Sequence, residues 1–273
     1  MKQLVGSNRL LAKCAGKHRR IGVLSNLKRH NLMRGDVQAS EGMRVIDASD
    51  SSMLVVFGDE ISRDLNRRVI QLFHDLQESE LQKSAGPRIR NLHPAYASLL
   101  IDYDPLLLPP AELRARIREL IGQSDIASSD AVRRAIEIPV CYGGELGPDL
   151  ADVAQHTGFS PEEVIARHSA PEYTVYFIGF SPGFPYMGGL PESLATPRLK
   201  TPRTSVPAGS VGIGGSQTGL YPMQWSGGWR LLGRTPMRMF DPEANPPSRL
   251  QPGDLVKFTP ISRESFDAMV AGR

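Results

Sequence analysis

YTVYFIGFSPGFPYMGGLPESLATPRLKTPRTSVPAGSVGIGGSQTGLYPMQWSGGWRLLGRTP (residues 173–236) mixes glycine, proline and arginine with short Val, Ile and Phe runs. Glycine reaches backbone angles that other residues avoid, and proline fixes φ while removing a donor, so this segment cannot be helical. It is also too apolar and aromatic for a disordered linker. What remains is a set of short strands joined by specific turns, with arginines projecting over a concave surface. Strands are expected at Tyr173–Ile178, Ser210–Ile213, Trp229–Gly233 and Asp254–Phe258.

Working back toward the N-terminus, Ser160-Pro161-Glu162-Glu163 opens a short helix with a Ser cap, Pro at the first position and Glu at the third, ending near His168. Asp149–Thr157 reads as a helix capped by Asp149 and stopped by Gly158, and Ile136–Cys141 as a strand. Further upstream, residues 60–80 place Ile61, Leu65, Val69, Leu72, Phe73 and Leu76 at helical spacing, and residues 109–122 form a second helix with Pro110 in its first turn. RVIDAS, SMLVVFG and Ser98–Tyr103 read as strands, with a turn at His93-Pro94. The order β-β-α-β-α defines a small α+β domain over 43–134, followed by a mainly-β barrel domain over 135–265 and a tail over 266–273, with the boundary near Ser128–Arg134.

Charge is unevenly placed. The net charge of the 273 residues is +3, but residues 1–42 hold nine Lys/Arg against two acids, leaving 23 bases and 27 acids beyond them. A mildly acidic body gives no reason to expect nucleic-acid binding. The basic head reads as weakly ordered, with Met43 as an alternative start. No apolar run is long enough for a signal peptide or membrane span, so no membrane partner is expected. The two cysteines, Cys14 and Cys141, show no zinc-ligand spacing, and Cys141 alternates with apolar neighbours as a buried, inert thiol. No metal site is expected, and this cysteine usage fits the cytoplasm.

Several groups can carry chemistry. The loop Gly179–Leu190 offers Gly179, Phe180, Pro182, Gly183, Phe184 and Tyr186 as a fixed-shape wall around a ligand, and it reads equally as a plug of the barrel end. Pro197-Arg198 and Pro202-Arg203 form a doubled Pro-Arg suited to bidentate anion binding; the alternative is a solvated basic turn. Arg234 is a third cation, free to bind a ligand or to pair with Asp241. Pro207 and Gly209 shape the turn before GIGGSQTG, which lacks the Gly-Lys-Ser/Thr of a phosphate loop but offers Gln217, Thr218 and Tyr221 as hydrogen-bonding groups. Glu145, in a glycine-rich turn, is the weak candidate for a catalytic carboxylate. The histidines read as solvated or satisfied, and no Gly-x-Ser-x-Gly elbow is present.

The segments IPVCYGGELGPDL, YFIGFSPGFPYMGGL, PRLKTPRTSVPAGSVGIGGSQTGLYP, SGGWRLLGRTP and LQPGDLVKF resemble, in this order, those of the family of 5-oxoprolinase B subunits, which includes KipI-like proteins and allophanate hydrolase subunit 1. The resemblance implies an α+β N-terminal domain followed by a cyclophilin-like barrel. It further implies two partners, a sister barrel of the C-subunit kind and a protein of the A-subunit kind, and ATP-driven opening of 5-oxo-L-proline to L-glutamate. ATP, with Mg, is thus implied for the complex; nothing here resembles a biotinyl-lysine segment. The same resemblance admits two other roles, an inhibitor bound to a sensor histidine kinase and a component of allophanate or urea carboxylation. Arg198, Arg203 and Arg234 fall on family motif positions.

Overall fold

The computed structural model describes residues 43–83, 88–123 and 134–272, which belong to one compact unit. The expectations for the basic head with Cys14, and for nearly all of the domain boundary at Ser128–Arg134, lie outside these residues.

The N-terminal part begins with β1 (Arg44–Ser49) and β2 (Ser52–Val56), followed by α1 (Arg63–Glu78) and the single turn α2 (Glu80–Lys83). Then come β3 (Ile89–Pro94), β4 (Ser98–Tyr103) and α3 (Pro110–Gln123). The four strands form an antiparallel sheet of order β1-β2-β4-β3. Strict alternation along β4 turns Leu99, Ile101 and Tyr103 to the helices, where they meet Val69, Leu72 and Leu76 of α1 and Leu113 and Ile117 of α3. Two readings are corrected here. The expected turn at His93-Pro94 is the end of a strand, β3, which lies on the sheet edge, where a proline and polar side chains are tolerated. Ile61 is exposed rather than inward, because the helix starts after Ser62, whose hydroxyl accepts from the Asp64 amide.

The second part opens with β5 (Ala135–Tyr142), α4 (Leu150–Thr157), α5 (Pro161–Ser169), β6 (Tyr173–Ile178) and β7 (Pro185–Gly188). It continues through β8 (Arg203–Val206), β9 (Ser210–Gly214), β10 (Gln217–Leu220), β11 (Trp225–Gly227), β12 (Arg230–Arg234), β13 (Leu255–Pro260) and α6 (Arg263–Ala271). Seven strands close into a barrel of order β10-β7-β6-β13-β5-β12-β9, while β8 and β11 pair as a separate ribbon. Closure removes the sheet edges that would otherwise need covering. Every described barrel pairing is antiparallel except β13 with β5. Inward side chains of Ile138, Val140, Tyr173, Val175, Val211, Val256 and Phe258 fill the interior. Leu150, Val153 and Val164 of the two short helices pack on Ile213 and Leu232. The capping box at Ser160 forms as expected, and Gly158 takes the left-handed conformation that ends α4. Cys141 is a buried free thiol. Residues past 265 continue α6, whose Phe266 packs on Cys141 and Leu146. No helix among the described residues is long and apolar enough to cross a membrane.

Candidate functional site

A pocket of about 250 Å³ opens between the barrel and the β8–β11 ribbon. Its walls come from four places in the chain: Phe180, Phe184 and Tyr186 from the β6–β7 connection and β7; Arg198 and Pro202 from the segment before β8; Tyr221 after β10; and Ser226 to Trp229 across β11 and the start of β12. The glycines are what let these walls close. A Cβ on Gly214 would come within 2.6 Å of the Trp229 indole, so the ring lies flat on β9 only because that side chain is absent. A Cβ on Gly227 would come within 2.1 Å of the Tyr221 hydroxyl.

The β6–β7 connection is a tight turn. Ser181 N–H donates to Gly179 C=O at 2.7 Å around Phe180, whose φ is +65°, and Gly179 N–H donates to Phe184 C=O at 3.0 Å. Positive φ at a bulky residue stores of order 1–2 kcal/mol of strain and marks a ring held where the site wants it. Phe180 stands 56% exposed at the mouth, edge-on to Phe184 with centroids 5.4 Å apart. Phe184 in turn contacts Tyr186, Tyr221 and Trp229 edge-on at 5.2–5.5 Å. Only part of the expected wall is loop, therefore: Phe184 is buried, and Pro185–Gly188 is a barrel strand. Pro182 is exposed at the tip, and Gly183, at φ +76°, packs against Phe240 away from the pocket.

Arg198 is the guanidinium of this site. It is exposed, with Cζ 5.6 Å above the Trp229 ring, a cation–π placement that orients it without consuming its hydrogen-bond donors. Burial pushes the Tyr186 and Tyr221 hydroxyls above their ordinary pKa, with Arg198 opposing, so both remain protonated and able to donate. A cation, hydroxyl donors and apolar ring faces together suit a small, flat molecule bearing a carboxylate or a carbonyl.

The doubled Pro-Arg does not act as a pair. Arg203 Nη2 donates to Asp149 Oδ1 at 2.7 Å, while Asp149 Oδ2 accepts the buried Leu231 N–H at 2.7 Å. Asp149 makes no side-chain cap on α4; its carboxylate ties β8 to β12. Arg234 does not pair with Asp241, which takes Arg238 at 3.1 Å. Glu145 is exposed, 4.0 Å from Arg263, and does not line the pocket. Thr218 is not a ligand donor on the pocket wall but sits in the barrel interior, bonded to His168 Nε2 at 2.8 Å and donating to Gly212 C=O at 3.1 Å. Gln217 donates to the Tyr96 hydroxyl at 2.5 Å. Pro207 and Gly209 build the turn into β9, where Ser210 N–H donates to Pro207 C=O at 3.3 Å.

Some site residues escaped the sequence reading. Trp229 read as the first residue of a strand, and Ser226 to Gly228 were not read as site residues; the Gly-Gly-Trp sequence was the available signal, since paired glycines beside a tryptophan mark close backbone approach to a large ring. Tyr96 is the other. It reaches over from the N-terminal part, its ring edge-on to Tyr186 at 6.2 Å, while Asn66 Nδ2 holds the Ala95 and Tyr96 carbonyls at 3.1 and 3.3 Å.

The structure thus joins a closed barrel to an aromatic pocket lined by one arginine, Arg198. The chain belongs to the family described as carboxyltransferase domain, subdomain C and D, whose model matches residues 43–250. It is 43% identical over 233 residues to the B subunit of 5-oxoprolinase from Bacillus subtilis (strain 168), covering 80% of this chain and 93% of that one. It is also 43% identical over 216 residues to the 5-oxoprolinase B subunit of Haemophilus influenzae, covering 79% and 97%. Among solved structures, TTHA0988 superposes with a TM-score of 0.66 at 36% identity over 77% of this chain, which spans only 40% of that longer one. The Kluyveromyces lactis urea amidolyase shares the fold, with a TM-score of 0.63 at 19% identity over 89% of this chain and 16% of its own.

Proposed function

We propose that this chain is the B subunit of an ATP-dependent 5-oxoprolinase, a cytoplasmic hydrolase that opens 5-oxo-L-proline to L-glutamate only when assembled with a sister barrel and a protein of the A-subunit kind. The barrel is of the cyclophilin-like type in this reading. The supporting observation is the pocket: a five-membered lactam presents a flat ring, an amide and a carboxylate, and the site offers ring faces, tyrosine donors and the Arg198 guanidinium. Arg198 takes the carboxylate, Phe184 and Trp229 flank the ring, and Tyr186 and Tyr221 donate to the lactam oxygen. Exposed Phe180 and Trp225 give the sister barrel apolar surface beside the mouth.

The nucleotide fits this pocket poorly. About 250 Å³ is below the roughly 300–1,000 Å³ of ordinary ligand pockets, and a triphosphate carries more charge than the lone Arg198 balances. Among the described residues no three His, Cys, Asp or Glu side chains gather as metal ligands either. We assign ATP and its Mg to a partner protein.

Coexpression with the A-type and C-type partners should restore ATP-dependent glutamate formation from 5-oxoproline, with no turnover by this chain alone. In that complex, Arg198→Ala should raise KM for 5-oxoproline by roughly 10–100-fold, the loss of about 1.5–3 kcal/mol for a charge-assisted hydrogen bond, with unchanged thermal unfolding. A well-assembled complex that makes no glutamate rejects the function; unchanged KM for Arg198→Ala rejects the pocket assignment alone.

A further inference from the structure

One cation singled out in the sequence has no place in the pocket. Arg234 ends β12, and register places it between two neighbours: Ser210 of β9 on one side and Cys141 of β5 on the other. Tyr221, whose N–H donates to Ser210 C=O at 2.8 Å, continues the row. Cross-strand partners share a face of the sheet, so Tyr221, Ser210, Arg234 and Cys141 line up on the outer side of the barrel. Two polar atoms in this row are buried without a hydrogen-bond partner: Arg234 Nε and Ser210 Oγ. Buried donors are nearly always paired, and one left open needs an ion or a water to complete it. Two orphans side by side, one of them on a guanidinium, call for a shared acceptor.

No described residue supplies that acceptor, and among the described residues Arg234 has no carboxylate partner. Burial pushes the Cys141 thiol above its ordinary pKa, so it stays neutral beside the arginine. Burial, and then repulsion by Arg263, lower the pKa of Arg234. Arg263, on α6, is itself paired with Asp267 at 2.9 Å and lies 4.0 Å from Glu145. The stem of Arg234 is also pre-set: a Cβ on Gly209 would come within 3.2 Å of its Cγ and 2.5 Å of the Thr235 carbonyl, so the backbone at Gly209, with φ +82°, packs directly against the side chain. Arg234 remains partly exposed, which leaves a way in from solvent.

We infer that Arg234 and Ser210 form an oxyanion-binding site on the barrel's outer face, separate from the Arg198 pocket and one residue row from its Tyr221 wall. Arg234 Nε–H and the Ser210 hydroxyl donate to oxygens of a phosphate, phosphoryl or carboxylate group. The site stands independently of the reaction proposed for the pocket, because binding needs neither partner proteins nor turnover.

Inorganic phosphate and acetate should be titrated into the full chain, with the Arg234 Nε–H resonance and calorimetry as readouts. The resonance should move on saturation, and Ser210→Ala and Arg234→Gln should each weaken binding by about tenfold or more, as expected for loss of a hydrogen bond to a charged group. Arg198→Gln should leave it unchanged. Tighter phosphate identifies a phosphoryl group as the natural occupant, and tighter acetate a carboxylate; both keep the site. Should Arg234→Gln fail to fold, the Ser210→Ala comparison alone decides. Absence of binding by both ions, as for a site filled by water only, overturns the inference. So does binding that ignores Ser210→Ala, or that Arg198→Gln removes.

Discussion

Asp149→Ala destabilises the protein by about 3–5 kcal/mol, the cost of removing one member of a buried charge pair and leaving the other uncompensated. The loss is large because one buried carboxylate serves two groups, a buried N–H and a partly buried guanidinium. Its Oδ1 accepts from the Arg203 guanidinium, and its Oδ2 accepts from the Leu231 N–H, each at 2.7 Å. Its side chain is 6% exposed and that of Arg203 is 29% exposed, so water replaces neither bond well. Urea unfolding followed through the buried Trp229 measures the effect. Arg203→Ala should also destabilise, since it strands the carboxylate, and the double variant should lose less than the sum by about 0.5–3 kcal/mol. An Asp149→Ala protein within about 1 kcal/mol of the parent would show that water compensates the pair. An Arg203→Ala protein with full stability but lost activity would return Arg203 to the ligand.

This pair also shows where sequence reasoning stopped. Arg198 and Arg203 are equivalent in a linear reading: each follows a proline, five residues apart. What separates them is Asp149, 54 residues upstream of Arg203, and only the barrel brings it there. The same limit explains the misread role of Asp149, whose position before α4 fits a cap while its oxygens are used elsewhere. Local signals fared better. The capping box at Ser160, the Gly158 stop and the strand at Ser98–Tyr103 are short-range patterns, and they appear as read. The strands β7, β8, β10 and β11 were invisible because three or four residues are too few to carry a measurable periodicity. For the pocket, composition marked Phe180, Phe184 and Tyr186 as either a ligand wall or a plug of the barrel end, and only the fold shows that they line a pocket. Tyr96 was not, since nothing near His93-Pro94 hints that the following loop reaches Gln217 and Tyr186.

Acid should weaken this fold in part through one buried imidazole, His168. His168 is fully buried, with Nδ1 2.8 Å from the Tyr142 hydroxyl and Nε2 2.8 Å from Thr218 Oγ1, and its ring stacks on Phe258 at 4.9 Å. Burial lowers its pKa to about 3. The unfolded chain binds a proton near pH 6.5, where the folded one does not, so the unfolded state holds more protons between those values and stability rises with pH. The contribution is therefore fully present above about pH 6.5 and is lost as pH falls toward 3, at about 1.4 kcal/mol per pH unit. Between pH 6.5 and 4.5 the His168 share of the loss is about 2 kcal/mol. His168→Gln keeps a polar group between Tyr142 and Thr218 but cannot titrate. It should be less stable at pH 7.5, by roughly 1–3 kcal/mol for imperfect hydrogen bonding, and should lose less on acidification. Urea midpoints at pH 7.5 and 4.5 for both proteins test this, because titrating carboxylates contribute equally and cancel in the difference. Parallel pH dependences in the two proteins would mean that the imidazole takes up its proton without opening the barrel.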